Sequence, residues 1–153
     1  ILNNEAKKEL NASHEELKKE VGLPTLMALA KKTIGKGDFY FPFRVSVFLW
    51  PIYENDSKTL MLWAYPEAYR ESVQKHATKF AVDPFLVYAI MRQESHFRPE
   101  IISRAGARGL MQIMPATGQR LARKLKWDRF QTAHLFHPET NIALSLSYLK
   151  KLL

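Results

Sequence analysis

The sequence predicts a mainly all-α protein, and three observations carry that reading. Asp83-Pro84, Pro115 and Pro138 stand where helices open; proline suits the first helical position, whose N–H has no partner inside the helix, and aspartate caps it. Apolar residues recur at three- and four-residue steps, as in Tyr69, Val73, Ala77 and Phe80. Glycine or a proline-rich turn punctuates the chain after most such runs.

Taken in order, "NEAKKEL" reads as a short helix. "SHEELKKEV" begins with Ser13 and has Glu16 three residues later, a capping box, and Gly22 ends it. "PTLMALAKKTI" has Pro24 in its first turn and stops at Gly35 and Gly37. These look like paired short helices of a helical array. Residues 38–57, "DFYFPFRVSVFLWPIYENDS", differ: aromatic and β-branched residues dominate, Pro42 and Pro51 interrupt, and propensity favours strand or extended chain. A helix follows Pro66. The next runs from Pro84 to about Glu94 or Ser95. Residues 98–110 form a loop with two glycines, then "PATGQRLARKL" and "PETNIALSLSYLKKLL" are helices. The last is expected to run to the chain's end. Its apolar residues Ile142, Leu146, Leu149 and Leu153 would need a partner from the N-terminal half, another molecule or a separate fragment.

A chain of 153 residues suffices for one domain with a real core or two smaller units. It has no cysteine, which excludes a disulfide scaffold, a thiol nucleophile and cysteine-ligated metal. No apolar run is long enough to span a membrane, so no integral membrane segment is expected. The start lacks methionine and a signal-peptide pattern, as in a processed or excised product. The net charge of +8 is uneven: residues 65–153 hold fourteen Lys/Arg against seven Asp/Glu, a balance of +7, whereas residues 1–64 hold nine against eight. That favours an anionic partner of the second half. Nucleic acid is not expected, because no recognisable reading helix accompanies the charge.

Glu94 is the carboxylate placed for chemistry. Val87, Ile90 and Met91 precede it on the same helical face. Glu94 thus ends an apolar stripe and is expected to be partly desolvated, which favours a protonated general acid. A solvent-facing helix end fits the same spacing. Arg92 projects elsewhere. The loop "SRAGARGLMQIMP" brings two glycines beside Met111, Gln112 and Met114; Gln112 offers the donor and acceptor that sugars or amides need, while both methionines suit a core as well as a substrate wall. His96, His134 and His137 are poorly placed for a metal, and no P-loop, dinucleotide or zinc-protease motif occurs. No cofactor or metal is expected.

Residues 82–122, "VDPFLVYAIMRQESHFRPEIISRAGARGLMQIMPATGQRLA", resemble the catalytic segment of the soluble lytic transglycosylase family. The matching pieces are Glu94-Ser95, Ser103, Gly106-Ala107, Gly109–Gln112, Asn141-Ile142 and Tyr148-Leu149. The resemblance covers roughly residues 65–153. It implies a lysozyme-like catalytic domain over 65–153, preceded in 1–64 by the end of an α-superhelical or linker region. Two departures stand out. Ser145 replaces the family's usual glycine, and the family's Ala-Tyr-Asn-Ala-Gly segment, with its active-site tyrosine, lies beyond this chain. The catalytic domain is therefore expected to be truncated here, with activity of the chain itself open.

The resemblance implies cleavage of the β-1,4 bond between N-acetylmuramic acid and N-acetylglucosamine in peptidoglycan, leaving a 1,6-anhydromuramoyl end. Glu94 would serve as acid, then base. Ser95, Ser103, Met111 and Gln112 would bind substrate. Partners would be glycan strands, stem peptides and, for a cleaved protein, a separate C-terminal fragment. The compartment would be the periplasm or outer cell envelope. A hydrolytic muramidase and a non-catalytic peptidoglycan-binding fragment remain as alternatives.

Overall fold

The structure, a computed structural model, describes residues 23–50 and 57–153. The helices expected from "NEAKKEL" and "SHEELKKEV", and the "PIYEND" part of the aromatic stretch, lie outside the described residues. The chain forms two compact units, Ile1–Ala64 and Tyr65–Leu153. Every described element is helical, apart from two isolated antiparallel bridges in one loop, Ile102 with Arg108 and Arg108 with Ile113.

In the first unit, α1 (Leu23–Ile34), α2 (Tyr40–Leu49) and α3 (Ser57–Ala64) close over Ala30, Val45, Leu49, Leu60 and Trp63. The strand-like expectation for residues 38–57 is corrected here, since Tyr40–Leu49 is a helix. Asp38 starts it, accepting hydrogen bonds from the N–H groups of Tyr40 and Phe41 at 2.9 and 3.2 Å. Pro42 falls in the first turn, where its missing N–H does no harm. Phe41, Val45, Phe48 and Leu49 then recur at helical spacing against the core, and that burial outweighs the local β preference.

The second unit holds α4 (Arg70–Phe80), α5 (Pro84–Ser95), α6 (Pro115–Lys124), a short 3₁₀ helix (Thr132–Phe136) and α7 (Pro138–Leu149). Pro84, Pro115 and Pro138 each open their helix, and the Asp83 carboxylate accepts from the Phe85 N–H at 2.8 Å. α7 is the centre of the unit. Its residues Asn141 to Ser147 are all buried, and it packs against α4, α6 and the 3₁₀ helix. Ile142 and Leu146 are fully buried, so elements of the same unit cover that part of the face expected to need a partner, whereas Leu149 is half-buried. The helix also stops earlier than expected, at Leu149, and Leu152 and Leu153 are exposed.

Candidate functional site

α5 carries Glu94 in its last turn. Val87 and Met91 of its stripe are fully buried, which anchors the helix. The chain then reverses through His96 and Phe97, both with left-handed backbones at φ 50 and 64. Such a pair is unfavourable for residues with a Cβ. It is held by burial of the Phe97 ring and by the Tyr69 hydroxyl, which donates to the Phe97 carbonyl at 3.4 Å. The reversal ends the helix at Ser95 and leaves Glu94 exposed. The expected partial desolvation of Glu94 is therefore not a property of the free chain. Arg92 lies over the Tyr65 ring, 4.6 Å from its centroid.

The loop after α5 builds the opposite side. Ser103 turns it: its backbone pairs with Ala107, and its Oγ accepts from the Ala107 N–H at 3.0 Å. The loop returns through Gly109, with φ 76. A Cβ there would overlap the Leu135 carbonyl oxygen and Nδ2 of Asn141, so only glycine fits. Asn141, fully buried on α7, ties the region together. Its Nδ2 donates to the carbonyls of Arg108 and Leu135 at 2.9 and 2.8 Å, and its Oδ1 accepts from the Met111 N–H at 2.8 Å. One side chain thus satisfies three backbone groups in loop, 3₁₀ helix and cleft wall.

That clamp positions a cleft of ≈ 250 Å³, lined by residues that include Ile90 of α5, Gln112 and Met114 of the loop, Thr117 of α6, and Ser145 and Tyr148 of α7. Ile90 stands one helical turn before Glu94. Gln112 takes a left-handed backbone at φ 47, and its Nε2 donates to the Gly109 and Ile101 carbonyls at 2.8 and 3.4 Å. Met111 also lines the cleft but is only 8% exposed.

The structure sorts the expected site residues. Met111 and Gln112 both line the cleft, and Glu94 is not among the lining residues. Ser103 is half-buried in its turn and is not among the cleft-lining residues. Ser95 is 1% exposed and its Oγ donates to the Met91 carbonyl at 3.0 Å, which secures the helix end. Ile90, Thr117 and Tyr148 were not singled out as contacts from the sequence, whereas Met114 had been weighed as a substrate wall and Ser145 noted only as a departure from the family's glycine.

The other carboxylate with a distinct environment is Glu139, at the start of α7. It accepts from Lys75 Nζ at 2.7 Å and from the Ser72 hydroxyl, and it pairs with His76 Nε2 at 2.8 Å. The Lys75 ammonium above all, with the Ser72 hydroxyl, holds its pKa down at about 2. An acid so strong stays ionised at neutral pH and cannot lend a proton, so Glu139 braces α4 against α7. Among the described residues no three His, Cys, Asp or Glu side chains gather as a metal site, and no helix is long and apolar enough to cross a membrane.

Residues 71–153 match the family model described as "Transglycosylase SLT domain". This chain belongs to the SLT domain family. The SLT segment is similar to the membrane-bound lytic murein transglycosylase C of Edwardsiella ictaluri, 39% identical over 83 residues, which are 53% of this chain and 23% of that protein. The protein of the same name in Haemophilus influenzae is 40% identical over 83 residues, again 53% and 23%. Among solved structures, the 70-kDa soluble lytic transglycosylase of Escherichia coli superposes with a TM-score of 0.69 at 25% identity, over 92% of this chain and 22% of that one. An inactive mutant of the Pseudomonas aeruginosa lytic transglycosylase Slt gives 0.70 at 24% identity, over 96% and 22%, and speaks for the fold alone. The lysozyme-like all-α fold follows from these superpositions. The SLT chain spans less than a quarter of the length of these relatives.

Proposed function

We propose that the Tyr65–Leu153 unit is a lytic transglycosylase module acting on the β-1,4 bond between N-acetylmuramic acid and N-acetylglucosamine of peptidoglycan. The observation that carries this is a cleft lined by Ile90, one helical turn before Glu94, and by no carboxylate of its own. Glycosidases that add water commonly need two carboxylates across the scissile bond. One carboxylate suffices when the substrate supplies its own nucleophile. Glu94, as the neutral acid, donates its proton to the glycosidic oxygen, and the bond from C1 to that oxygen breaks. Glu94, now a carboxylate, takes the proton of the muramoyl C6 hydroxyl as that oxygen bonds to C1. Atoms balance without water, and the product is a 1,6-anhydromuramoyl end. The desolvation missing from free Glu94 would come with the glycan strand lying over it.

Gln112 and Met111 would contact the sugars in the cleft, and Ser103 would donate its hydroxyl proton to a strand or stem peptide running past the loop. The positive balance of residues 65–153 suits the carboxylates of stem peptides. The substrate assigns the protein to the periplasm or outer cell envelope. The exposure of Glu94 favours one second reading, a muramidase in which water replaces the C6 hydroxyl. Mass spectrometry of the released muropeptides separates them: anhydro ends support the transglycosylase, whereas reducing ends carrying an added water overturn it.

A further inference from the structure

Ser145, Tyr148 and Leu149 of α7 all line the cleft. Their spacing of three and four puts them on one side of the helix, so Ser145 fronts the cleft with its side chain. It is the most buried of the three, at 6% exposed. Its Oγ donates to the Asn141 carbonyl at 2.8 Å. A serine hydroxyl has one proton and two lone pairs, so Ser145 faces the cleft as an acceptor. Gln112 is alike in kind. Both of its hydrogen bonds start from Nε2, which leaves Oε1 to accept. The remaining surface is largely apolar, with Ile90, Met114 and Leu149 prominent, and no lining residue is charged.

Two fixed acceptors in an uncharged, apolar cleft select a neutral ligand group that pairs an N–H donor with a methyl. A hydroxyl supplies a donor but no methyl, and an ammonium would lose its hydration without meeting an anion. We propose that Ser145 is a specificity-determining residue that accepts the N–H of a sugar's acetamido substituent. The inference rests on the glycan-cleaving reading of the same cleft and adds the group that the cleft reads.

The test is binding, measured by titration calorimetry on the 153-residue chain, so it does not depend on turnover. The probes are β-1,4-linked tetramers of N-acetylglucosamine, of glucose and of glucosamine. The wild type is expected to prefer the acetylated tetramer over both others. In Ser145→Ala and Ser145→Gly the preference over the glucose tetramer should fall roughly 2- to 10-fold, the worth of one neutral hydrogen bond. Circular dichroism and the melting temperature confirm that each variant is folded, and a purely structural role would move these without moving the preference. An unchanged preference in both folded variants overturns the role of Ser145 and leaves the glycan reading standing. A wild type that does not bind the acetylated tetramer overturns both.

Discussion

Replacing Gly109 by alanine should unlock the cleft from the core. Gly109 sits at φ 76, and an added Cβ would overlap the Leu135 carbonyl and Nδ2 of Asn141. The left-handed backbone alone costs a residue with a Cβ about 1–2 kcal/mol. Moving Asn141 aside breaks its bonds to the Arg108 and Leu135 carbonyls, and a buried polar group left unpaired costs about 1–3 kcal/mol. Counted for both carbonyls, the sum is on the order of 3–8 kcal/mol, a large part of a typical domain's ~5–15 kcal/mol. Gly106→Ala is the matched control, because Gly106 has φ 88 but nothing within 4 Å of its added Cβ, so only the ~1–2 kcal/mol of backbone strain applies. Amide hydrogen exchange along Asn141–Ser147 of α7 is the assay, since core amides report the opening of the unit. Gly109→Ala should accelerate it by at least ~100-fold, and Gly106→Ala by roughly ten-fold. Equal acceleration in the two variants would refute the claim that Gly109 is fixed by close approach rather than by backbone angle.

Asn141→Leu removes all three hydrogen bonds of the clamp and leaves the Met111 N–H and two carbonyls unpaired; a loss of about 3–5 kcal/mol in urea denaturation is expected, and it should not add to that of Gly109→Ala in a double-mutant cycle. Glu139 gives a pH signature. Its pKa is lowered from 4.5 to about 2, so between those values the unfolded chain binds more protons and stability rises with pH. Its contribution is complete above about pH 4.5 and is lost as the pH falls towards 2. It is also modest, because the side chain is 47% exposed and solvent screens it. Glu139→Gln should flatten the melting-temperature profile in that window, and an unaltered slope would contradict the brace between α4 and α7. Glycan-strand pull-down should weaken as salt rises, because charge screening reaches down to ~8 Å at physiological ionic strength; binding indifferent to salt would assign the +7 balance of residues 65–153 another purpose.

The helices of the second unit were legible because their start signals are local. Asp83-Pro84, Pro115 and Pro138 act within one turn of their own positions. α2 was misread because its aromatic and β-branched residues favour strand locally, while the packing of Val45 and Leu49 on Leu60 and Trp63 depends on residues distant in sequence. The clamp was illegible for the same reason: Asn141 and Gly109 lie 32 positions apart, and no spacing rule announces that the Asn141 side chain comes against the Gly109 backbone. Ser95 and Ser103 were both expected as substrate-binding hydroxyls on the strength of the resemblance. Burial separates them, and burial is a property of the folded chain. Glu94 was found at the end of its stripe, but the reversal at His96 and Phe97 that exposes it needs two left-handed residues that nothing in "SHF" foretells.

The most direct measurement is mass spectrometry of soluble products after incubating purified peptidoglycan sacculi with the wild-type chain and with Glu94→Gln. The account predicts muropeptides with 1,6-anhydromuramoyl ends, each lighter by one water than its hydrolysed counterpart. It also predicts at least ~100-fold less release by a folded Glu94→Gln variant, since proton transfer is worth at least that much. Wild-type levels of anhydro products from Glu94→Gln would contradict it.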